Sequence, residues 1–207
     1  MKRSRRTFKT KRNEADIPSD SEDDETTDTL FRQKGNQVYF WGDVSKKSVL
    51  TFTQHLKNAR DYALINSDVG DRTQPRVMIH INSDGGCLFS GLAAYDFMKR
   101  INDVELMCFA EGCVASAATL LFLGGHVRVC DPNATILIHQ IRAGMWGSME
   151  FERLKDEYQN NTKFMDIMRS IYSKETKIPK KVLNELFTRE IHLTMKECAS
   201  YEISNDL

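Results

Sequence analysis

The chemistry in this chain, if it has one, lies at three short stretches. Ser116 follows an apolar run, Val104 to Ala110, and the pair Glu111-Gly112, and it precedes Ala117-Ala118-Thr119. A serine where a strand gives way to a helix is lifted to the edge of a sheet, and the first-turn amides there have no partner inside the helix. Such amides can stabilise an oxyanion that develops beside a nucleophile. His139 closes Ile136-Leu137-Ile138 and precedes Gln140 and a loop running from Gly144 to Gly147. An imidazole at a strand end can accept a hydroxyl proton near neutral pH. The third stretch, Asn82-Ser83-Asp84-Gly85-Gly86, has paired glycines that let the backbone approach a bound group. Taken singly, each has an ordinary alternative: a helix cap, a structural histidine, a glycine turn. His55, His80, His126 and His192 show no metal-ligand spacing, and the cysteines suit no zinc site. No metal or other cofactor is expected, and the absence of G-x-x-x-x-G-K-[ST] excludes a P-loop ATPase on this chain.

The spacing predicts the elements that must hold these residues. Gln37 to Gly42 reads as a short strand, and Ser45 caps a helix reaching about Tyr62. Asn66 to Gln74 is a polar loop. Arg76 to Ile81 is a buried strand before the glycine pair, and helical apolar spacing then runs from Leu88 to Ile101. After the strand Val104–Ala110, a small-residue helix opens near Ser116 and ends at Gly124-Gly125. Val127–Cys130 and Thr135–His139 are strands around the turn Asp131-Pro132-Asn133. A long helix fits Ser148 to Tyr172, Pro179 starts a short one, and Ile191–Leu193 is a last strand before a helix from Met195. Strands alternating with helices argue for an α/β fold with largely parallel pairing.

The chain has 207 residues, 41% of them hydrophobic, which suits one domain with a real core. No apolar run approaches the roughly 20 residues of a membrane helix, and the basic start has no apolar stretch behind it as a secretory signal would. Five cysteines, an odd number without C-x-x-C, read as reduced thiols in an intracellular compartment, with the cytoplasm expected. Net charge is zero, so the domain carries no nucleic-acid footprint. Charge is nevertheless segregated: residues 2–12 hold seven Lys or Arg and residues 14–28 hold eight Asp or Glu. With so little to bury, residues 1–34 are expected to form a disordered tail, and 35–207 the domain.

In series, the motifs N-S-D-G-G, G-x-x-A-S-A-A and P-N-A-x-I-x-I-H-Q resemble those of the Clp protease proteolytic subunit, from about Val38 to Asp206. That family is written N-S-P-G-G, G-x-A-A-S-M-x-A and I-x-H-Q-P-x-G-G. The resemblance implies the ClpP/crotonase-like α/β fold, with stacked sheets, surrounding helices and a protruding handle helix, here from Ser148. It implies a serine endopeptidase with Ser116 as nucleophile, His139 as base and the amides of Gly86 and Ala117 as oxyanion hole. The family's catalytic aspartate corresponds to Glu190. Two stacked heptameric rings, unfolded polypeptide substrates and a separate ATPase unfoldase are implied as well.

The sequence departs from the family at several places. Asp84 replaces proline, Ala117 replaces methionine, and the loop after His139 reads Ile141-Arg142-Ala143-Gly144. Met78, His80 and Arg100 stand where the family places apolar residues that receive its ATPase. Two other readings share the same residues: a structural ring subunit of the family with little or no activity, and a crotonase-type acyl-CoA enzyme. The pairing of A-S with I-H-Q argues against the latter.

Overall fold

Alternation builds the sheet. In the strand Arg76–Ser83, Val77, Ile79, Ile81 and Ser83 are buried while the residues between them are not. This period of two is what a pleated strand with one covered face requires. The computed structural model describes residues 31–67, 74–142 and 150–205, with Gly144 and Ser148. The charged segment 1–30 and most of the Asn66–Gln74 loop lie outside the described residues.

The described elements are β1 (Phe31–Lys34), β2 (Gln37–Trp41), α1 (Lys46–Ile65), β3 (Arg76–Ser83), α2 (Leu88–Lys99), β4 (Glu105–Ala115), α3 (Ala118–Gly124), β5 (Val127–Cys130), β6 (Thr135–Leu137), α4 (Phe151–Glu175), α5 (Lys180–Thr188), β7 (His192–Thr194) and α6 (Met195–Ser200). The sheet order is β1-β2-β3-β4-β6-β7, with β5 branching from β4. The inner pairs are parallel, while β1/β2 and β6/β7 are antiparallel. β4 is long enough to serve two neighbours: Met107–Ala110 pair with β5 and Cys113–Ala115 with β6.

Several element boundaries differ from the sequence expectation: β6 ends at Leu137 and not at His139, and α4 spans Phe151–Glu175 where Ser148 to Tyr172 was expected. β1 begins within the segment expected to be tail, because Phe31 is buried edge-on against Phe40, with ring centroids 5.0 Å apart. β4 continues past Gly112, which adopts φ +68, where the sequence pattern suggested a stop. The β3/β4 register shifts between Ile81 and Ser83, which absorbs the extra residues. β4 therefore delivers Ser116 directly.

Ser45 caps α1 as expected: its Oγ accepts from Ser48 N (3.1 Å), and Ser48 Oγ accepts from Ser45 N (2.9 Å). Helices α1 and α3 lie on the sheet, and α2 packs on both. The opposite face is less covered. Tyr39, His80 and Phe109 stack there, with centroids 4.6 and 5.1 Å apart, and all three stay partly exposed. The base of α4 is tied down by the buried Arg128, whose Nη2 donates to Glu175 O (2.8 Å) near the helix C-terminus. No helix among the described residues is long and apolar enough to cross a membrane.

Candidate active site

Three neighbouring parallel strands end at one edge, and each delivers one of the sequence motifs. β3 runs into Asp84-Gly85-Gly86, β4 into Ser116, and β6 into His139. Ala115 pairs with Leu137, so Ser116 and His139 leave adjacent strand ends whose spacing is about 4.8 Å. The C-terminal edge of a parallel sheet is where α/β proteins place ligands.

Ser116 sits on a sharp turn with φ +54. A non-glycine residue there is strained, by roughly 1–3 kcal/mol, and persists only where its surroundings fix it. They do so on both sides. Ser116 N donates to Leu137 O (2.9 Å), and Ser116 O accepts from Thr119 N (3.1 Å) and Thr119 Oγ1 (2.6 Å). Thr119 Oγ1 in turn meets the hydroxyl of Tyr172, on α4, at a position where both residues are buried. Since the threonine proton is directed to a carbonyl, the phenol must be the donor of this second bond.

The glycine pair is shaped by contact. A Cβ on Gly85 (φ +101) would lie 2.6 Å from Ser116 Cβ and 2.7 Å from Ala115 O. One on Gly86 (φ +140) would lie 2.4 Å from Val44 O. Val44 clamps this turn from the other side: its N donates to Gly85 O and its O accepts from Cys87 N, each at 2.7 Å. The amides of Gly86 and Ala117 donate to no other described residue, and Gly86 is exposed. Backbone donors held this way can receive an anion.

His139 Nδ1 lies 2.6 Å from Gln140 O. A carbonyl only accepts, so the contact requires the Nδ1–H tautomer and leaves the Nε2 lone pair available as a base. The Gln140 amide donates to Phe187 O (2.9 Å) on α5, and Phe187 packs edge-on against Tyr172 (5.6 Å). The Ser116 turn is thus linked to the Tyr172 hydroxyl and the His139 end to the Phe187 carbonyl, and the rings of these two residues touch.

The antiparallel β6/β7 pairing ends at Leu137↔His192, and Glu190 lies two residues before His192. The Glu190 side chain is turned to Arg142, with which it forms an exposed ion pair. The Arg142 hydrogen bond and charge hold its carboxyl below the usual range, and the nearby His139 adds to this. Ser116, His139, Gly86 and Ala117 all line one cleft of about 580 Å³, floored by Leu88, Phe164 and Met168; Glu190 is not among its walls. No group of three or more metal-ligating side chains occurs among the described residues.

Sequence reasoning reached the serine, the histidine and the two amides, but not Thr119, Tyr172, Gln140 O or Arg142. Those partners are 53 and 48 residues apart for Thr119–Tyr172 and Arg142–Glu190, and no local motif marks them.

A family model described as Clp protease matches residues 53–206. The ATP-dependent Clp protease proteolytic subunit of Psilotum nudum is 30% identical over 183 residues, covering 84% of this chain and 91% of the relative. The subunit of the same name from Anthoceros angustus is 27% identical over 183 residues, covering 84% and 88%. Among solved structures, a ClpP1 mutant from Listeria monocytogenes superposes with a TM-score of 0.68 at 20% identity, over 83% of this chain and 90% of that one. This last likeness establishes the fold, as expected from the sequence.

Proposed function

The chain belongs to the Clp protease family, a family of serine peptidases, and from that premise we propose that it is an endopeptidase acting through Ser116, His139 and Glu190. The observation that carries this reading is the convergence of Ser116, on its strained turn, with His139 and two undonated amides in one cleft. Ser116 Oγ attacks a peptide carbonyl as His139 Nε2 takes its proton. The oxyanion is received by the amides of Gly86 and Ala117. The imidazolium then gives its proton to the leaving amine, which frees the new N-terminus and leaves an ester on Ser116. Water attacks that ester with His139 again as base, and the peptide acid departs with the serine restored.

Glu190 serves as the acid that stabilises the imidazolium. Its present partner is a surface arginine, and both side chains are more than half exposed. An exposed pair of this kind is weakened by solvent screening, so exchanging it for a cationic His139 costs little. The competing reading of an inactive ring subunit finds no support in a site that keeps its nucleophile, base and amide donors. A fluorophosphonate probe tests the proposal: covalent labelling lost in Ser116→Ala supports it, and an unlabelled, folded wild-type chain sinks it.

Assembly into stacked rings belongs to the same proposal. Phe151, Leu154 and Tyr158 fall at i, i+3 and i+7 on α4 and are 69%, 40% and 75% exposed, an apolar stripe that a single copy leaves in water. The partly covered sheet face argues likewise, since parallel sheets are generally covered on both sides. Dependence on a separate ATPase unfoldase, unfolded polypeptide as substrate and residence in a reducing compartment complete the reading. All five cysteines are free thiols. Arg100, exposed and 5.8 Å from the Phe97 ring, gives the expected unfoldase face a cation, so either the docking loop carries an acid or other subunits of a mixed ring supply the pocket.

A further inference from the structure

The wall of the cleft contributed by α4 is not uniformly apolar. Glu157, Asn161, Phe164 and Met168 line it, at spacings of four, three and four residues that place them on one face of the helix. In the first turns of α4, residues 151–156 and 158–160 are exposed, and Glu157 alone is partly covered. Its carboxylate has no ion-pair partner among the described residues, although the same helix pairs Glu152 with Lys155 and Asp166 with Arg169. The intervening positions outside the described residues, Ala143, Met145, Trp146, Gly147 and Met149, carry no charge that could neutralise it.

The other charged side chains lining the cleft are Asp84, on the glycine loop, and Arg142. Arg142 is engaged by Glu190, which lies outside the cleft, so its charge is answered while His139 is neutral, the state in which substrate binds. Among the described residues the cleft is therefore left with two carboxylates and no uncompensated permanent cation. Below Glu157 the surface is apolar: Phe89 and Phe164 meet edge to face at 5.1 Å, next to Met168. An apolar track leading to a carboxylate fits a side chain with a methylene stem and a cationic end, which can lay the stem on the rings and bring the charge to the rim.

We infer that Glu157 is a specificity-determining residue that selects peptides bearing a lysine or arginine next to the scissile bond. This rests on the peptidase reading of the site, and it adds to that reading the class of substrate taken. Aliphatic and aromatic side chains also fit the track; acidic ones are disfavoured, because they would bring a third negative charge into a partly desolvated cleft.

The test scans one fluorescent peptide with lysine, norleucine or glutamate at each position around the bond. Affinity is measured by polarisation on the Ser116→Ala chain, and turnover on the wild type. Lysine is expected to bind about fivefold tighter than norleucine at one position, the scale of a partly exposed ion pair, with glutamate weaker still. Glu157→Gln should bring the lysine-to-norleucine ratio to about one, and Glu157→Lys should turn the preference toward glutamate. Asp156→Asn, one residue away and exposed, should keep the ratio and so excludes a general effect of net charge. A ratio near one at every position, or a lysine preference that survives Glu157→Gln, overturns the inference. Because binding is read without chemistry, these outcomes are separate from the failure of fluorophosphonate labelling that would overturn the peptidase reading.

Discussion

Two substitutions at the buried hydroxyl pair should separate, in a definite order, the forces that hold the nucleophile. Thr119 Oγ1 donates to Ser116 O at 2.6 Å and accepts from Tyr172 OH, with both residues about 1% exposed. Tyr172→Phe keeps the ring on Phe187 and keeps the threonine bond to Ser116. It removes one hydrogen bond, worth about 1 kcal/mol, and so should lower Tm by roughly 2–4 °C with only a few-fold loss of kcat. Thr119→Val does more. It removes the hydroxyl bond to Ser116 O, leaving only the longer one from the backbone N of residue 119, and strands a buried phenol without an acceptor, about 2–4 kcal/mol together, or roughly 5–12 °C. With the φ +54 turn partly freed, the serine can drift, and a displacement near 1 Å costs on the order of 10²-fold in rate. Thr119→Ser restores the hydroxyl and should recover most of kcat. The assay is kcat and KM on a fluorogenic peptide, with KM expected to change little, beside thermal melting of the same samples. Tyr172→Phe harming kcat as much as Thr119→Val, or Thr119→Val with wild-type kcat, would refute the claim that this bond positions the serine.

Ser116→Ala should abolish peptide hydrolysis while leaving assembly, measured by light scattering, unchanged; residual turnover beyond contamination would remove the serine from the mechanism. Gly85→Ala places a Cβ 2.6 Å from Ser116 Cβ at φ +101, so activity should fall at least about 10²-fold with lowered Tm, and a normal rate would show that the turn does not bear on the serine. Glu190→Ala should lower kcat by roughly 10³- to 10⁴-fold while Arg142→Ala does not lower it; a loss of less than a few-fold for Glu190→Ala would leave Gln140 O as the only group orienting the base. Acid stability offers a further check on Glu175. Burial opposes its charge, but Lys99 (2.9 Å) and Tyr95 (2.6 Å) prevail and leave its pKa below the ordinary value. Its contribution is present above the unfolded value of about 4.3 and is lost as pH falls through the lower folded value. Glu175→Gln should flatten the melting curve's dependence on pH below about 4.3, and an unchanged slope would assign the acid limb to other groups.

Much of this site was legible because its parts are local. The apolar runs ending near Asn82 and His139 announce strand ends, and the order of glycine pair, serine and histidine gave the resemblance its specificity. What remained hidden depends on partners far away in the chain. Nothing near Thr119 marks Tyr172, and nothing near Glu190 marks Arg142. The glycine at position 112 suggested a strand end, yet its φ +68 accommodates a bulge, and β4 runs on to Ala115. His80, in a strand expected to be buried, stacks between Tyr39 and Phe109 on the partly covered face. Hydrophobic pattern alone does not distinguish a face covered within the chain from one awaiting another subunit.

The register explains why the members of the site differ in how firmly they are held. Serine and histidine issue from β4 and β6, inner parallel strands joined by Ser116 N to Leu137 O, so their separation follows from the sheet itself. Glu190 precedes β7, a three-residue edge strand that returns antiparallel, and it lies two residues beyond the last pair of that ladder. An edge of three residues has little ladder to fix its end, and the carboxylate is met there by an arginine exposed on the surface. On the proposed mechanism, precision is thus concentrated where displacement costs most, at Ser116 Oγ and His139. An acid in the proposed role of Glu190, whose action is electrostatic and falls off gradually with distance, can tolerate a looser tether. A glutamate in this role fits that division, since its extra methylene gives reach from a position the backbone does not fix tightly.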